Sequence, residues 1–91
     1  MNKRPSKKSP NKYKAMFFTW NAPDDDNTFD WCLRASDEMK CALHEYKFLS
    51  AYQWESEIGE EDHRHHLQGV IFFTTRILFT QLQNYLGGLI P

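Results

Sequence analysis

Phe48-Leu49-Ser50-Ala51-Tyr52-Gln53-Trp54-Glu55-Ser56-Glu57 alternates in character, and His66-Leu67-Gln68-Gly69-Val70-Ile71-Phe72-Phe73-Thr74 follows it as a nearly unbroken apolar run. The first segment reads as a strand with Phe48, Ser50, Tyr52, Trp54 and Ser56 on one side and Leu49, Ala51, Gln53, Glu55 and Glu57 on the other. The second reads as a buried strand. A polar link from Ile58 to His65, with Gly59 as its turn residue, is short enough to make the two antiparallel neighbours.

Upstream, Ala15-Met16-Phe17-Phe18-Thr19-Trp20-Asn21 is a short aromatic run that suits a strand buried on both faces. Pro23 and Asp24-Asp25-Asp26 end it in a turn, and Asn27 reads as the N-cap of a helix. Cys32, Ala35, Met39, Ala42 or Leu43, and Tyr46 follow at steps of three and four, which predicts an amphipathic helix over 28–46. Downstream, Leu78, Leu82, Tyr85 and Leu86 predict a helix over 77–86, closed by Gly87. The order strand, helix, strand, strand, helix predicts an α+β fold. It is an antiparallel sheet with helices on one face, a ferredoxin-like β-α-β-β-α unit that lacks its final strand.

The chain has 91 residues, of which 41% are hydrophobic, enough for one small domain and too few for a multi-domain enzyme. Its net charge of −1 conceals a split. Residues 1–14 carry six cations and no acid, and residues 15–91 carry five cations and twelve acids. Residues 1–14 read as a disordered basic arm and 15–91 as the folded domain. Lys3, Arg4, Lys7 and Lys8 are candidates for a nuclear-import signal, and Lys12 and Lys14 for contacts to phosphates; a solubilising tail is the plainer alternative. No apolar run approaches a membrane span, and the N-terminus lacks a signal-peptide stretch. Cys32 and Cys41 fall on opposite faces of the predicted helix, so they read as reduced thiols and not as a disulfide.

One constellation carries chemistry. Glu57 and Glu55 share a face of the alternating strand, and His66 and Gln68 share a face of the next. With those faces matched, a carboxylate, an imidazole and an amide oxygen converge near the strand ends. One nitrogen with two or three oxygens suits Mg²⁺ or Mn²⁺, whereas zinc would take more nitrogen or sulfur. On spacing alone a second reading stands: two solvated glutamates beside a histidine that opens a strand. His63-Arg64-His65-His66 matches no zinc spacing, and His63 and His65 read as loop residues. No Gly-rich phosphate loop is present.

Phe18-Thr19-Trp20-Asn21-Ala22-Pro23 resembles the first motif of the replication initiators of circular single-stranded DNA viruses, circovirus type. His66-Leu67-Gln68-Gly69 resembles their second motif, the form of the HUH endonuclease motif in which the second His is Gln. The order and separation of the two agree with that family, and the likeness covers nearly the whole chain. The resemblance implies His66 and Gln68 as metal ligands, with Glu57 as the acidic ligand and Glu55 as its alternative. It implies that Phe18, Thr19, Trp20 and Asn21 belong to a region that recognises origin DNA. It further implies a metal-dependent DNA nicking endonuclease and nucleotidyltransferase of rolling-circle replication. Such a protein works in the host cell nucleus on single-stranded DNA and an origin hairpin, with no membrane partner and with room for a homo-oligomer of the full-length protein.

The family's third motif, a Tyr-x-x-Lys whose tyrosine attacks the scissile phosphate, has no match up to Pro91, and neither has the helicase domain that follows it. Tyr85 lacks a Lys three positions on and reads as a packing tyrosine. The expectation is a chain that binds metal and origin-like DNA without nicking, with no catalytic residue of its own. Two alternatives are a non-catalytic RRM-like module, suggested by Gly69-Val70-Ile71-Phe72-Phe73, and a non-functional truncated product.

Overall fold

A 14-residue central strand lets three segments share one core. In the computed structural model, which describes residues 11–87, β1 (Lys12–Asn21), β2 (Leu49–Ile58) and β3 (His65–Leu78) form one antiparallel sheet in the order β1-β3-β2. A 3-10 turn (Asp24–Asp26) and α1 (Phe29–His44) connect β1 to β2, and α2 (Phe79–Leu86) follows β3. The α+β class and the antiparallel sheet expected from the sequence are therefore present.

Both helices cover the same face. Met16 and Trp20 of β1, Leu67, Ile71, Phe73 and Ile77 of β3, Cys32, Ala35, Met39 and Leu43 of α1, and Leu82 of α2 form a single buried cluster. Met39 and Leu43 are fully buried, and burial of each such side chain contributes about 1.5–3 kcal/mol. The face Cys32, Ala35, Met39, Leu43, Tyr46 predicted by helical spacing is the face that is buried. Cys41 lies exposed on the other side of α1. Tyr85 ties the two helices together: its hydroxyl donates to Ala42 O at 2.6 Å, and its ring lies 4.3 Å from that of Tyr46.

Four expectations need correction. β1 is buried on one face only: Met16 and Trp20 point into the core, and Phe17 is 84% exposed. A continuous apolar run suggests two covered faces, but both helices here pack on one side. β1 also starts at Lys12, with Lys12 opposite Leu78 and Tyr13 opposite Ile77, so the strand takes Lys12 and Lys14 out of the expected arm. Lysines are well tolerated on an edge strand, where they remain solvated. Residues 1–10, with Lys3, Arg4, Lys7 and Lys8, lie outside the described residues.

The N-cap of α1 is Thr28, whose Oγ1 accepts from Trp31 N–H at 3.0 Å, and not Asn27. α2 begins at Phe79 and not at 77, because Ile77 and Leu78 still pair with β1. Gly87 then closes α2 at φ 62, a left-handed conformation that favours glycine. Among the described residues no helix is long and apolar enough to cross a membrane.

Candidate metal and nucleic-acid site

The face of the sheet opposite the helices is open, and the strand register sets three rows across it. Asn21, His66 and Glu57 lie side by side; Thr19, Gln68 and Glu55 form the next row; Phe17, Val70 and Gln53 form the third. Directly paired residues share a face, so Glu55, Glu57, His66 and Gln68 all belong to the open side. Gly69 and Trp54, one position out of phase, belong to the helix side. Trp54 Nε1 donates to Ser36 Oγ of α1 at 2.9 Å, which locks that phase. A shallow open hollow of about 430 Å³ runs across the rows, with Phe17, Thr19, Gln53, Glu55, Glu57 and Gln68 on its wall.

Glu57 and His66 touch. Glu57 Oε1 lies 3.3 Å from His66 Nε2, with the imidazole largely buried and the carboxylate half-exposed. The other ring nitrogen, Nδ1, lies 3.2 Å from Arg64 O. A carbonyl and a carboxylate both only accept, so a neutral ring satisfies one of them at a time, and a hydrogen on Nδ1 gives the bond to Arg64 O. In the neutral ring Nε2 then turns its lone pair toward the Glu57 carboxylate. Two acceptors facing each other need positive charge between them, either a proton on Nε2 or a cation.

The donor set fits a hard or borderline cation. Cis ligands of an octahedral ion with bonds of ~2.1 Å stand about 3.0 Å apart, close to the observed 3.3 Å between Glu57 and His66. A ring N–H given to a backbone carbonyl is the usual way a ligating histidine is held. Gln68 lies one row along on the same strand face, opposite Glu55. Among the described residues no three His, Cys, Asp or Glu side chains form a metal-holding group; a third protein donor would have to be an oxygen such as that of the Gln68 amide. His65 pairs with Ile58 as the first residue of β3, and His63 lies in the turn, so neither joins the set.

The predicted DNA-contacting residues divide. Phe18 and Trp20 point to the helix side, where Phe18 meets Trp54 edge-on at 5.8 Å and Trp20 meets Trp31 at 5.3 Å. Their first role is packing. Thr19 and Asn21 lie on the open face beside Gln68 and His66. Lys12 and Lys14 are exposed at the far end of β1, about 23–30 Å from the His66 row at ~3.3 Å per residue. The most exposed ring on the open face is that of Phe17, with Phe72 beside it; sequence reading passed over Phe17, and its alternation with Met16 and Phe18 was the available signal.

The turn before β3 is strongly tied down. Arg64 donates to Ala22 O at 3.0 Å and to Asp24 Oδ1 at 2.6 Å, and its backbone N–H donates to Asp62 Oδ1 at 2.9 Å. Asn27 Oδ1 accepts from His65 N–H at 2.7 Å, and Asn27 Nδ2 donates to His63 O at 3.2 Å. These residues had no expected role in the site. No family model, curated protein or solved structure matches the chain, which leaves the geometry of the site and the two sequence motifs to carry the functional reading.

Proposed function

We propose that residues 1–91 are the origin-binding and metal-binding part of a rolling-circle replication initiator of the circovirus type. The full enzyme nicks and rejoins single-stranded DNA in the host cell nucleus. The observation that carries this reading is the facing pair Glu57 Oε1 and His66 Nε2 at 3.3 Å, with Gln68 on the same strand face. Support comes from the order β1-β3-β2 with both helices on one side, which suits a ferredoxin-like unit whose last strand would pair with the outer edge of β1.

Glu57, His66 and Gln68 would hold Mg²⁺ or Mn²⁺, with Glu55 as a reserve carboxylate one row away. When bound, the ion would polarise a scissile phosphate and stabilise the charge that develops on it. The protein's own part is to fix the donors: the sheet sets the rows, and Arg64 O holds the ring of His66. Phe17 extends the open face as a stacking surface for an unpaired base, a contact worth about 1–3 kcal/mol. No tyrosine in residues 1–91 precedes a lysine by three. Tyr85 is bonded to Ala42 in the helix layer, on the other side of the sheet from His66. These residues by themselves therefore bind without nicking.

Calorimetric titration with Mn²⁺ tests the reading. The wild-type chain binds one ion, and His66→Ala and Gln68→Ala each lose at least tenfold in affinity. Equal binding by all three proteins refutes it. A second reading, a metal-free RRM-like module, draws on Phe17 and Phe72 exposed on the same face. In that case single-stranded DNA binding is unchanged by His66→Ala and falls with Phe17→Ala.

A further inference from the structure

Asn27 does not N-cap α1, yet its side chain reaches backbone groups 36 and 38 positions further along the chain. We propose that Asn27 is a positioning residue for the candidate metal site: it grips the residues on both sides of Arg64 and so aims the Arg64 carbonyl at His66 Nδ1, which turns Nε2 toward Glu57 as the free ligating nitrogen. The proposal rests on the metal reading above.

The geometry is specific. Asn27 Oδ1 takes the N–H of His65 at 2.7 Å and Asn27 Nδ2 gives to the carbonyl of His63 at 3.2 Å. The peptide groups before and after Arg64 are thus both held by one planar amide. His63 sits at φ 52, in the left-handed region that a non-glycine residue adopts reluctantly. A turn with that conformation needs outside bonds to keep its shape, and Asn27 supplies one of them directly to His63. The Arg64 carbonyl also accepts from Gly59 N–H at 2.9 Å, so it is fixed from the turn side as well. With the Asn27 amide removed, the peptide between Arg64 and His65 keeps its Gly59 bond but loses the acceptor for its N–H, so the carbonyl that faces Nδ1 is aimed less tightly. The hydrogen bond made by one ring nitrogen decides which nitrogen is left free, so the neutral ring then populates the form with hydrogen on Nε2, whose lone pair no longer faces Glu57.

The test compares the wild-type chain, Asn27→Ala and Thr28→Ala. Thr28→Ala removes the neighbouring helix cap and leaves the Asn27 bonds in place, so it reports plain destabilisation. Nitrogen-15 spectra of the proteins saturated with Mg²⁺ read the His66 ring, and titration with Mn²⁺ alone reads affinity. The wild-type ring carries its hydrogen on Nδ1. Asn27→Ala shifts it toward Nε2 and weakens Mn²⁺ binding by about tenfold or more, the scale at which outer partners of a ligating histidine act. Thr28→Ala keeps both readouts near wild type. A wild-type ring with hydrogen on Nε2 overturns the proposal without any variant. So does an Asn27→Ala protein equal to wild type, or a Thr28→Ala protein that loses as much affinity. A wild-type chain that binds no Mn²⁺ overturns the metal reading and this proposal together, whereas normal wild-type binding with an unaffected Asn27→Ala overturns this proposal alone.

Discussion

Gly69→Ala is the substitution that tests most sharply how the sheet builds the site. Gly69 pairs with Trp54 on one side and Phe18 on the other, and those two rings meet across it. A Cβ on residue 69 would stand 2.1 Å from Gln53 O, 2.4 Å from Trp54 Cβ and 2.6 Å from Trp54 Cα. Two of these are backbone atoms and the third is bonded to one, so no side-chain rotation relieves the overlap. β2 has to retreat by about 1 Å to restore van der Waals contact, and forced overpacking of this kind costs about 1–3 kcal/mol. In a domain of this size each kcal/mol lowers the melting temperature by roughly 4–8 °C, so a cost near 2 kcal/mol predicts a fall of about 8–16 °C. The same retreat carries Glu57 away from His66 and weakens Mn²⁺ binding. Differential scanning calorimetry and a Mn²⁺ titration on the same sample read both effects. A Gly69→Ala protein that melts with wild type and binds Mn²⁺ equally well would refute the claim that close approach of β2 to β3 sets the Glu57–His66 pair.

Further expectations concern the cap, the alkaline limb and the arm. Thr28→Ala removes the acceptor for Trp31 N–H and lowers stability by about 1 kcal/mol in urea denaturation. Burial raises the pKa of Cys32 above its ordinary value, and burial followed by the nearby Tyr85 raises that of Tyr46. The folded state therefore holds both protons more tightly than the unfolded chain. That contribution is complete below the ordinary values and is lost as pH rises through the folded ones, so the urea midpoint falls above about pH 9; Tyr46→Phe flattens the part above about pH 10. Deleting residues 2–10 removes four of the six N-terminal cations, Lys3, Arg4, Lys7 and Lys8. If they engage phosphates, the log–log salt slope for single-stranded DNA becomes shallower by up to about 3, and an unchanged slope assigns them no such contact.

Much of this arrangement was legible in the residues. Period-two alternation from Phe48 to Glu57 put Glu55 and Glu57 on one face, and the same rule put His66 and Gln68 together. The register then brought the two pairs opposite each other. The helical face from Cys32 to Tyr46 was equally plain, because its steps of three and four are interrupted by charges. Phe17 and Phe18 were not separable, since two adjacent aromatics look alike until it is known that only one face is covered. Lys12-Tyr13-Lys14 reads as tail because charge says nothing about edge pairing. Asn27 and Thr28 are both good caps by type, and only the fold decides that Thr28 caps the helix while Asn27 reaches the turn. That long-range bond, and the support of His66 by the Arg64 carbonyl, have no local signature.

The most direct measurement is anomalous diffraction at the manganese edge from crystals soaked in Mn²⁺. One peak within bonding distance of Glu57 Oε1, His66 Nε2 and the Gln68 side-chain oxygen is the predicted result. Clear density for all three side chains with no peak between them, or a peak held by other residues, would contradict the assignment of this face as a metal-dependent DNA-processing site.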